Sequence, residues 1–196
     1  MPSLFRKDIN NFPDRKSYLI PDNKEVVKWS GRFAELGKGL KIGISWRGGT
    51  TPNIIHRRSV TLDKWAELFS LSGIHFINLQ YGDCKEELSK AKEKLGISIH
   101  DWADSDPLKD LDDFAAQIAA LDLVVSVDNS TIHMAGALGV PVWVLLPFIC
   151  EWRWLLNRED TLWYPTMRLF RQPSPGEWGS VITKARDELL KLLDKK

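Results

Sequence analysis

The feature that most constrains the fold is the run Leu123–Val127, five uncharged and mostly branched residues that stop abruptly at Asp128. Such a run, bounded by polar turn residues, predicts a strand that is buried on both of its faces, as in a parallel sheet. Similar runs at residues 40–46, 74–80 and 142–146 are separated by segments with the helical spacing of apolar residues. The alternation predicts one α/β domain with a Rossmann-like open parallel sheet and helices on both faces.

The remaining elements follow from the usual start and stop signals. Residues 1–22 contain three prolines and are predicted to form an extended arm. Residues 47–59 contain two glycines, a proline and several basic residues, and are predicted to form a loop. Helices are predicted at residues 23–36, 61–71, 84–95, 110–121, 131–138 and 177–193, and two short strands at residues 97–99 and 168–171.

Length and charge restrict the class of protein. A chain of 196 residues fits one domain, and 43% hydrophobic with 27% charged residues is typical of a globular protein. The net charge of +1 argues against nucleic-acid binding, and no apolar run approaches the roughly 20 residues of a membrane span. The N-terminal residues lack a secretory signal, and two distant cysteines indicate neither a disulfide framework nor a metal site. We therefore expect a cytoplasmic protein without a metal.

Tryptophan is unusually frequent, with nine residues in the chain. Indole rings at this frequency either fill the core, or form a platform for a sugar ring or base, or cover a face that meets another domain.

The residues that follow Leu123–Val127 are the most specific local signal. Four short polar side chains, from Asp128 to Thr131, precede a helix rich in alanine and glycine. The first turn of a helix has N–H groups without partners and a partial positive charge, so it binds anions readily. Capping of the helix is the simpler explanation of these residues. One turn later, His133 either donates to a phosphate, or orients Asp128, or is a neutral histidine bonded to a neighbouring loop.

The loop after the first strand carries a weaker signal. Arg47 and Gly48 follow the strand directly, and Arg58 ends a basic run before the next helix. Arginine recognises phosphate through two parallel hydrogen bonds, and glycine lets the backbone approach a ligand closely. The glycine spacing matches neither the dinucleotide fingerprint nor the phosphate loop. Because both loops leave the same edge of the sheet, we expect these three residues to lie near Asp128.

Two further candidates lie at the ends of other strands. Gln80 ends the second predicted strand, where its amide either recognises a base or ribose or caps the next helix. Arg153 follows the fourth strand and either meets an anion or pairs with Glu151 or Asp160. The acidic stretch at residues 101–106 is expected to supply solvated loop and helix caps rather than paired catalytic carboxylates or a metal site.

At these residues the sequence resembles glycosyltransferase family 9, the bacterial heptosyltransferase-like group. It is most similar to the C-terminal segments of bacterial tetratricopeptide-repeat proteins that end in such a domain. The resemblance extends over roughly residues 24–190, and its specific part runs from Asp128 to His133. The matching segments are residues 41–46, 58–59, 76–80, 123–128, 131–143, 152–156 and 163–172.

The resemblance implies the C-terminal half of a GT-B glycosyltransferase, which binds a nucleoside-diphosphate sugar as donor and needs no metal and no cofactor. Residues 1–39 are then an arm and lead-in helix, and residues 40–196 the donor-binding domain. The pyrophosphate is expected to bind at the start of this helix, and Arg58 is expected to contact the phosphates. Asp128 and His133 are expected to hold the turn before the helix in place. The helix-start residues implied are Asn129, Ser130, Thr131 and Ile132, and the further possible donor contacts are Arg47, Gly48, Gln80 and Arg153.

Two departures from the family pattern bear on activity. The family more often has threonine and a small residue after the aspartate, where this chain has Asn129 and Ser130. The family's N-terminal domain, with the acceptor site and the expected catalytic base, has no counterpart in this sequence, so no catalytic residue is assigned and we expect the chain to be inactive alone. That missing domain, or a repeat segment, is an expected partner. The alternative is a non-catalytic nucleotide- or sugar-binding module on a repeat scaffold. A third possibility, a nicotinamide-dependent oxidoreductase, is disfavoured because the chain lacks the glycine fingerprint of dinucleotide-binding proteins.

Overall fold

The computed structural model describes residues 7–13 and 15–194. The strands are β1 (Leu40–Ser45), β2 (Ile74–Asn78), β3 (Leu123–Val127), β4 (Val142–Leu146) and β5 (Met167–Arg171). The α-helices are α1 (Asn23–Glu35), α2 (Pro52–Arg58), α3 (Ala66–Phe69), α4 (Lys85–Leu95), α5 (Leu111–Ala119), α6 (Ser130–Ala137) and α7 (Gly179–Leu193). Short 3-10 helices occupy Ile9–Asn11, Leu62–Trp65 and Trp152–Trp154.

The five strands form one fully parallel sheet in the order β2-β1-β3-β4-β5. His100 extends the edge beyond β2 through a single parallel bridge to Ile77. When His100 is counted as the third strand position, this is the Rossmann order 3-2-1-4-5-6. The order reverses between β1 and β3, and ligands of such sheets bind at the carboxyl ends of the strands beside that reversal. The predicted fold class is confirmed.

Two apolar layers cover the two faces of the sheet. On one face, Leu68 of α3 and Ile182 of α7 pack with the β1 residues of the same cluster. On the other face, Phe33 of α1 and Ile118 of α5 pack against β3 and β4 through residues such as Val124. Because both faces are buried, the central strands have continuous apolar sequences rather than alternating ones.

Three predicted elements differ from the structure. Residues 47–59 are not a loop throughout, because they include α2, which begins at Pro52. Proline suits the first helical turn, where its missing N–H has no partner to lose, so it marked a helix start rather than a loop. The helix predicted at residues 61–71 is split into the 3-10 helix Leu62–Trp65 and α3. The strand predicted at residues 97–99 is reduced to the bridge at His100.

The arm before α1 packs against the domain. The backbone N–H groups of Tyr18 and Leu19 both donate to the carbonyl oxygen of Ala137, at the end of α6. The hydroxyl of Tyr18 donates to the carbonyl oxygen of Trp163. Residues 1–6 and 14 of the predicted arm lie outside the described residues.

Most tryptophans fill the core, as the simpler of the interpretations predicted. Six of the nine are buried: Trp29, Trp46, Trp65, Trp143, Trp154 and Trp178. By contrast, Trp152 is 64% exposed. Within the described ranges, no helix combines the length and apolar character that crossing a membrane requires.

Gly43 in β1 tests how tightly the sheet packs. A Cβ at Gly43 lies 2.3 Å from Leu79 Cδ1 and 2.6 Å from Leu121 Cδ1, whereas a Cβ at Gly31 in α1 meets nothing within 4 Å. We expect Gly43→Ala to lower the free energy of unfolding by about 1–3 kcal/mol through overpacking. The matched variant Gly31→Ala should raise it by about 0.5–1 kcal/mol, because alanine favours the helix. Urea denaturation measures both, and equal effects would contradict the packing described.

Candidate functional site

A cleft of about 590 Å³ opens at the reversal point of the strand order, between the loop after β1 and the start of α6. Its polar and charged lining residues are Thr50, Arg58, Asp128, Asn129, Ser130, His133, Glu151 and Arg153. Its remaining lining residues, most of them apolar, are Gly49, Ile54, Tyr81, Pro107, Leu108, Leu111, Phe114 and Met134. The cleft therefore brings together five of the seven residues predicted to bind the donor phosphates, namely Arg58, Asp128, Asn129, Ser130 and His133.

Asn129 joins the end of β1 to the start of α6. Its Nδ2 donates to Ser45 Oγ at 2.7 Å and to the carbonyl oxygen of Arg47 at 2.9 Å. Its Oδ1 accepts from the Thr131 backbone N–H at 3.0 Å, which makes Asn129 the N-cap of the helix. Capping is thus the work of this one residue, and Ser130 begins the helix with its side chain exposed.

Gln80 fixes the loop after β1 from the other side. Its Oε1 accepts from Ser45 Oγ and from the backbone N–H groups of Trp46 and Arg47 at 2.8–3.0 Å. Its Nε2 donates to the carbonyl oxygen of Tyr81 at 3.1 Å, and the side chain is 4% exposed. The amide is therefore occupied within the protein, and Gln80 shapes the loop instead of presenting a free group to a base or ribose.

Arg47 and Gly48 do not line the cleft. Arg47 turns towards α4, where its Nε lies 3.2 Å from Glu87 Oε2 and its Nη2 donates to the carbonyl oxygen of Asp83. A Cβ at Gly48 would lie 2.7 Å from the carbonyl oxygen of Asp128. Gly48 thus allows the loop after β1 to approach the backbone between β3 and α6 closely. The backbone of Gly48 therefore lies near Asp128, as predicted.

Arg58 lies between two carboxylates. Its Nη2 donates to Glu151 Oε1, and its Nη1 lies 3.8 Å from Asp128 Oδ2. Asp128 is 3% exposed, and its Oδ2 has no hydrogen-bond partner within the described chain. Burial raises the pKa of Asp128, and the positive charge of Arg58 opposes that effect. The predicted proximity of Arg58 and Asp128 is confirmed, whereas the contact between Glu151 and the Arg58 guanidinium was not predicted.

His133 is held on three sides. Its ring stacks on Trp154 with centroids 5.5 Å apart, and its Nδ1 lies 3.1 Å from Tyr164 Oη. Its Nε2 lies 3.3 Å from Arg153 Nη1. Because an arginine can only donate, Nε2 is the acceptor and the ring is neutral with its proton on Nδ1. Burial, and secondarily the charge of Arg153, lowers the pKa of His133 to about 4. In this arrangement His133 positions Arg153; both nitrogens are occupied, so it neither donates to a phosphate nor orients Asp128.

Arg153 has neither of the carboxylate partners predicted for it. Glu151 pairs with Arg58, and Asp160 pairs with Arg158. The Arg153 Nε is buried without a hydrogen-bond partner in the described part of the chain. The other predicted role, contact with an anion, is compatible with its place in the cleft.

Two residues of the predicted helix start have side chains in the core. Thr131 and Ile132 are both 0% exposed, and Thr131 Oγ1 lies 3.5 Å from the carbonyl oxygen of Leu79. Only their backbone groups belong to the first turn of α6, so neither side chain reaches a ligand in the cleft.

The acidic stretch has structural roles. Asp104 pairs with Arg32, and Asp106 accepts from the Leu108 backbone N–H and pairs with Lys109. Over residues 7–13 and 15–194, no group of three histidine, cysteine, aspartate or glutamate side chains is placed to hold a metal ion.

Comparisons with known proteins place this fold. No protein-family model matches the chain. It is 38% identical over 191 residues to Protein FlbA from Caulobacter vibrioides, covering 95% of this chain and 32% of FlbA. The chain therefore spans about a third of the length of this curated relative.

Two solved structures share the architecture. The ADP-heptose LPS heptosyltransferase II of E. coli matches 95% of this chain and 57% of its own, with a TM-score of 0.61 and 16% identity. The glycosyl transferase family 9 protein of Veillonella parvula matches 91% and 52%, with a TM-score of 0.59 and 12% identity. The chain has the α/β fold of one half of these GT-B glycosyltransferases.

Replacement of Asn129 and of Ser130 by alanine tests which of the two side chains caps α6. Asn129→Ala removes the N-cap and two buried hydrogen bonds, so we expect the free energy of unfolding to fall by about 2–3 kcal/mol. The neighbouring variant Ser130→Ala changes an exposed side chain and should stay within about 0.5 kcal/mol of the parent. Urea denaturation of both proteins is the measurement. A larger loss in the Ser130 variant would assign the cap to the wrong residue.

His133 provides a pH-dependent test. Its pKa is about 4 in the folded protein, whereas an ordinary histidine in an unfolded chain has a pKa of about 6.5. As pH falls from 6.5 towards 4, the unfolded chain binds a proton that the folded protein does not, so stability falls across this window. NMR should show a neutral His133 ring at pH 5.5, and His133→Asn should reduce the pH dependence of unfolding between pH 6.5 and about 4. A ring that titrates near pH 6.5 contradicts the buried geometry.

Proposed function

We propose that this chain is the donor-binding half of a metal-independent, inverting GT-B glycosyltransferase, and that its cleft takes a nucleoside-diphosphate sugar. One observation carries the proposal: the start of α6, Arg58 and Arg153 meet in a single cleft at the reversal of the strand order. The shared architecture with two glycosyltransferases supports it.

The phosphates belong at the polar residues of the cleft. The first turn of α6 carries partial positive charge, and the exposed Ser130 hydroxyl lies in that turn. Arg58 and Arg153 add two permanent charges, and arginine matches the geometry of phosphate oxygens. A phosphate that approaches Arg58 competes with Glu151, which holds the same guanidinium. Glu151 thus lowers the affinity for anions at this position.

The base belongs at the apolar residues of the cleft. Leu108 and Leu111 are 69% and 63% exposed, and they line the cleft together with Tyr81 and Pro107. A planar ring laid on these side chains removes apolar surface from water, which favours binding. Ligand sites commonly combine such a surface with a few convergent polar groups.

The catalytic contribution of this half is electrostatic. Negative charge develops on the nucleoside diphosphate as the bond to the sugar breaks, and the helix start with Arg58 and Arg153 stabilises that charge without a metal. Sugar transfer also requires a general base within reach of the acceptor hydroxyl. We assign none of the carboxylates here to that role, so the 196-residue chain should bind donor but not transfer sugar.

A non-catalytic binding module attached to a repeat scaffold is the alternative, and it fits the finding that the chain matches only 32% of FlbA. The two functions differ in one measurable property. Sugar transfer by a protein that contains this domain and its neighbouring segments supports the glycosyltransferase; nucleotide binding without transfer in the same protein supports the module. Robust transfer by the 196-residue chain alone would overturn the assignment of a half-enzyme.

Variants at Arg58 and Glu151 test the phosphate position, with ADP as the probe and calorimetric titration as the measurement. Arg58→Ala should weaken ADP binding about tenfold to a hundredfold, because a charge-assisted hydrogen bond is lost. Glu151→Gln should strengthen it about threefold, since the competing carboxylate is removed. The control Arg186→Ala removes an arginine of α7 and should leave the affinity unchanged.

Thermal unfolding checks the same site without a titration. At about 100 times its dissociation constant, ADP should add about 2.7 kcal/mol to the free energy of unfolding and raise the Tm by several degrees. EDTA should not abolish the shift. If ADP at millimolar concentration leaves the Tm unchanged, or if Arg58→Ala binds as the parent does, the phosphate assignment fails.

A further inference from the structure

We infer a second binding site in this domain, for a small organic anion with an apolar, ring-shaped body. The site is a pocket of about 250 Å³ between α2 and the ends of β4 and β5. The residues that matter for its chemistry are His56, Arg57, Phe148, Ile149, Gln172 and Trp178. The pocket shares no lining residue with the cleft at Asp128, so the inference does not rest on the proposed function.

The floor of the pocket carries an unpaired donor. Gln172 directly follows β5, is 5% exposed, and accepts a hydrogen bond from the Phe148 backbone N–H through Oε1 at 3.0 Å. That bond fixes the orientation of the amide, so Nε2 can only donate. Nε2 is buried and has no partner within the described ranges. Because an unsatisfied buried donor costs free energy, an acceptor oxygen supplied by a ligand is favoured here.

The other two polar side chains of the pocket, those of His56 and Arg57, also lack protein partners within the described part of the chain. His56 and Arg57 lie in the last turn of α2, and neither makes a side-chain hydrogen bond or ion pair with any described residue. No aspartate or glutamate lines the pocket. The cleft is different, since Asp128 and Glu151 partly neutralise Arg58 there. Arg57 is a permanent cation and Gln172 Nε2 is a donor, so the pocket favours an anionic acceptor, and a carboxylate has two acceptor oxygens for these two groups.

The apolar side chains define the rest of the ligand. Trp178 is buried at 4% exposure behind the pocket, while Phe148 and Ile149 are 52% and 65% exposed. A ring placed against Phe148 and Ile149 covers apolar surface that water now contacts. The volume of about 250 Å³ suits one ring with its acidic group and is small for a nucleotide. Together these features assign the pocket to an aromatic or cyclic carboxylate.

Benzoate and its neutral counterpart benzamide test this assignment on the intact chain. Protein-observed NMR should show benzoate shifting the backbone signals of Phe148, Ile149 and Gln172, and benzamide should bind more weakly. Arg57→Ala should weaken benzoate binding about fivefold or more, because one charge-assisted hydrogen bond is lost. Arg15→Ala removes an exposed arginine of the arm and should change nothing. Saturation with ADP should leave the benzoate shifts in place.

A second variant tests the buried donor. Gln172→Glu keeps the acceptor for the Phe148 N–H and replaces the donor by a carboxylate, so it should abolish benzoate binding while benzamide is affected less. If this variant fails to fold, Arg57→Ala decides alone. Equal binding of benzoate and benzamide, unchanged affinity in Arg57→Ala, or complete displacement of benzoate by ADP overturns the second site. If the parent protein binds benzoate but does not bind ADP, only the proposed function is contradicted.

Discussion

The site depends on the hydrogen bonds of Asn129. This one side chain bonds to β1 through Ser45 and Arg47 and to the first turn of α6 through Thr131. The reversal of the strand order opens a crevice between β1 and β3, and Asn129 crosses it at its base. Because the amide is buried at 7% exposure, its bonds are shielded from water and hold the cleft wall in one geometry. Gln80 provides the corresponding support for the β1 loop.

Charge is the second organising principle, and burial determines how it acts. Arg58 connects the buried Asp128 to the half-exposed Glu151, so one arginine is shared by two carboxylates of different exposure. On the other side of the cleft, a neutral His133 accepts from Arg153 and keeps that guanidinium in the wall of the site. A protonated histidine would repel Arg153, which is a further reason for its lowered pKa. The two positive charges of the cleft are therefore held in place by protein partners, Arg58 by Asp128 and Glu151 and Arg153 by His133.

The architecture was predictable because it follows from local patterns. The apolar runs that became β1, β3 and β4 were identified by composition and by the polar turns that end them. Errors occurred where local signals were ambiguous: Pro52 began a helix within a predicted loop, and residues 97–99 pair too briefly to form a strand. Of the candidate site residues, the sequence correctly placed Arg58 near Asp128. The sequence could not show that the Gln80 amide is bonded to the β1 loop, because those partners become neighbours of Gln80 only in the folded protein.

The sequence by itself determined the parallel α/β fold, the edge of the sheet where the polar residues gather, and the presence of a helix start shortly after Asp128. These follow from hydrophobic periodicity and helix capping, which act over a few neighbouring residues. Only the tertiary structure decided which polar groups are free to meet a ligand. Glu151 reaches Arg58 across 93 positions of sequence, and Asn129 reaches Ser45 across 84. Such pairings depend on how the crossovers bring distant loops to one edge, and no local pattern encodes the distances between them.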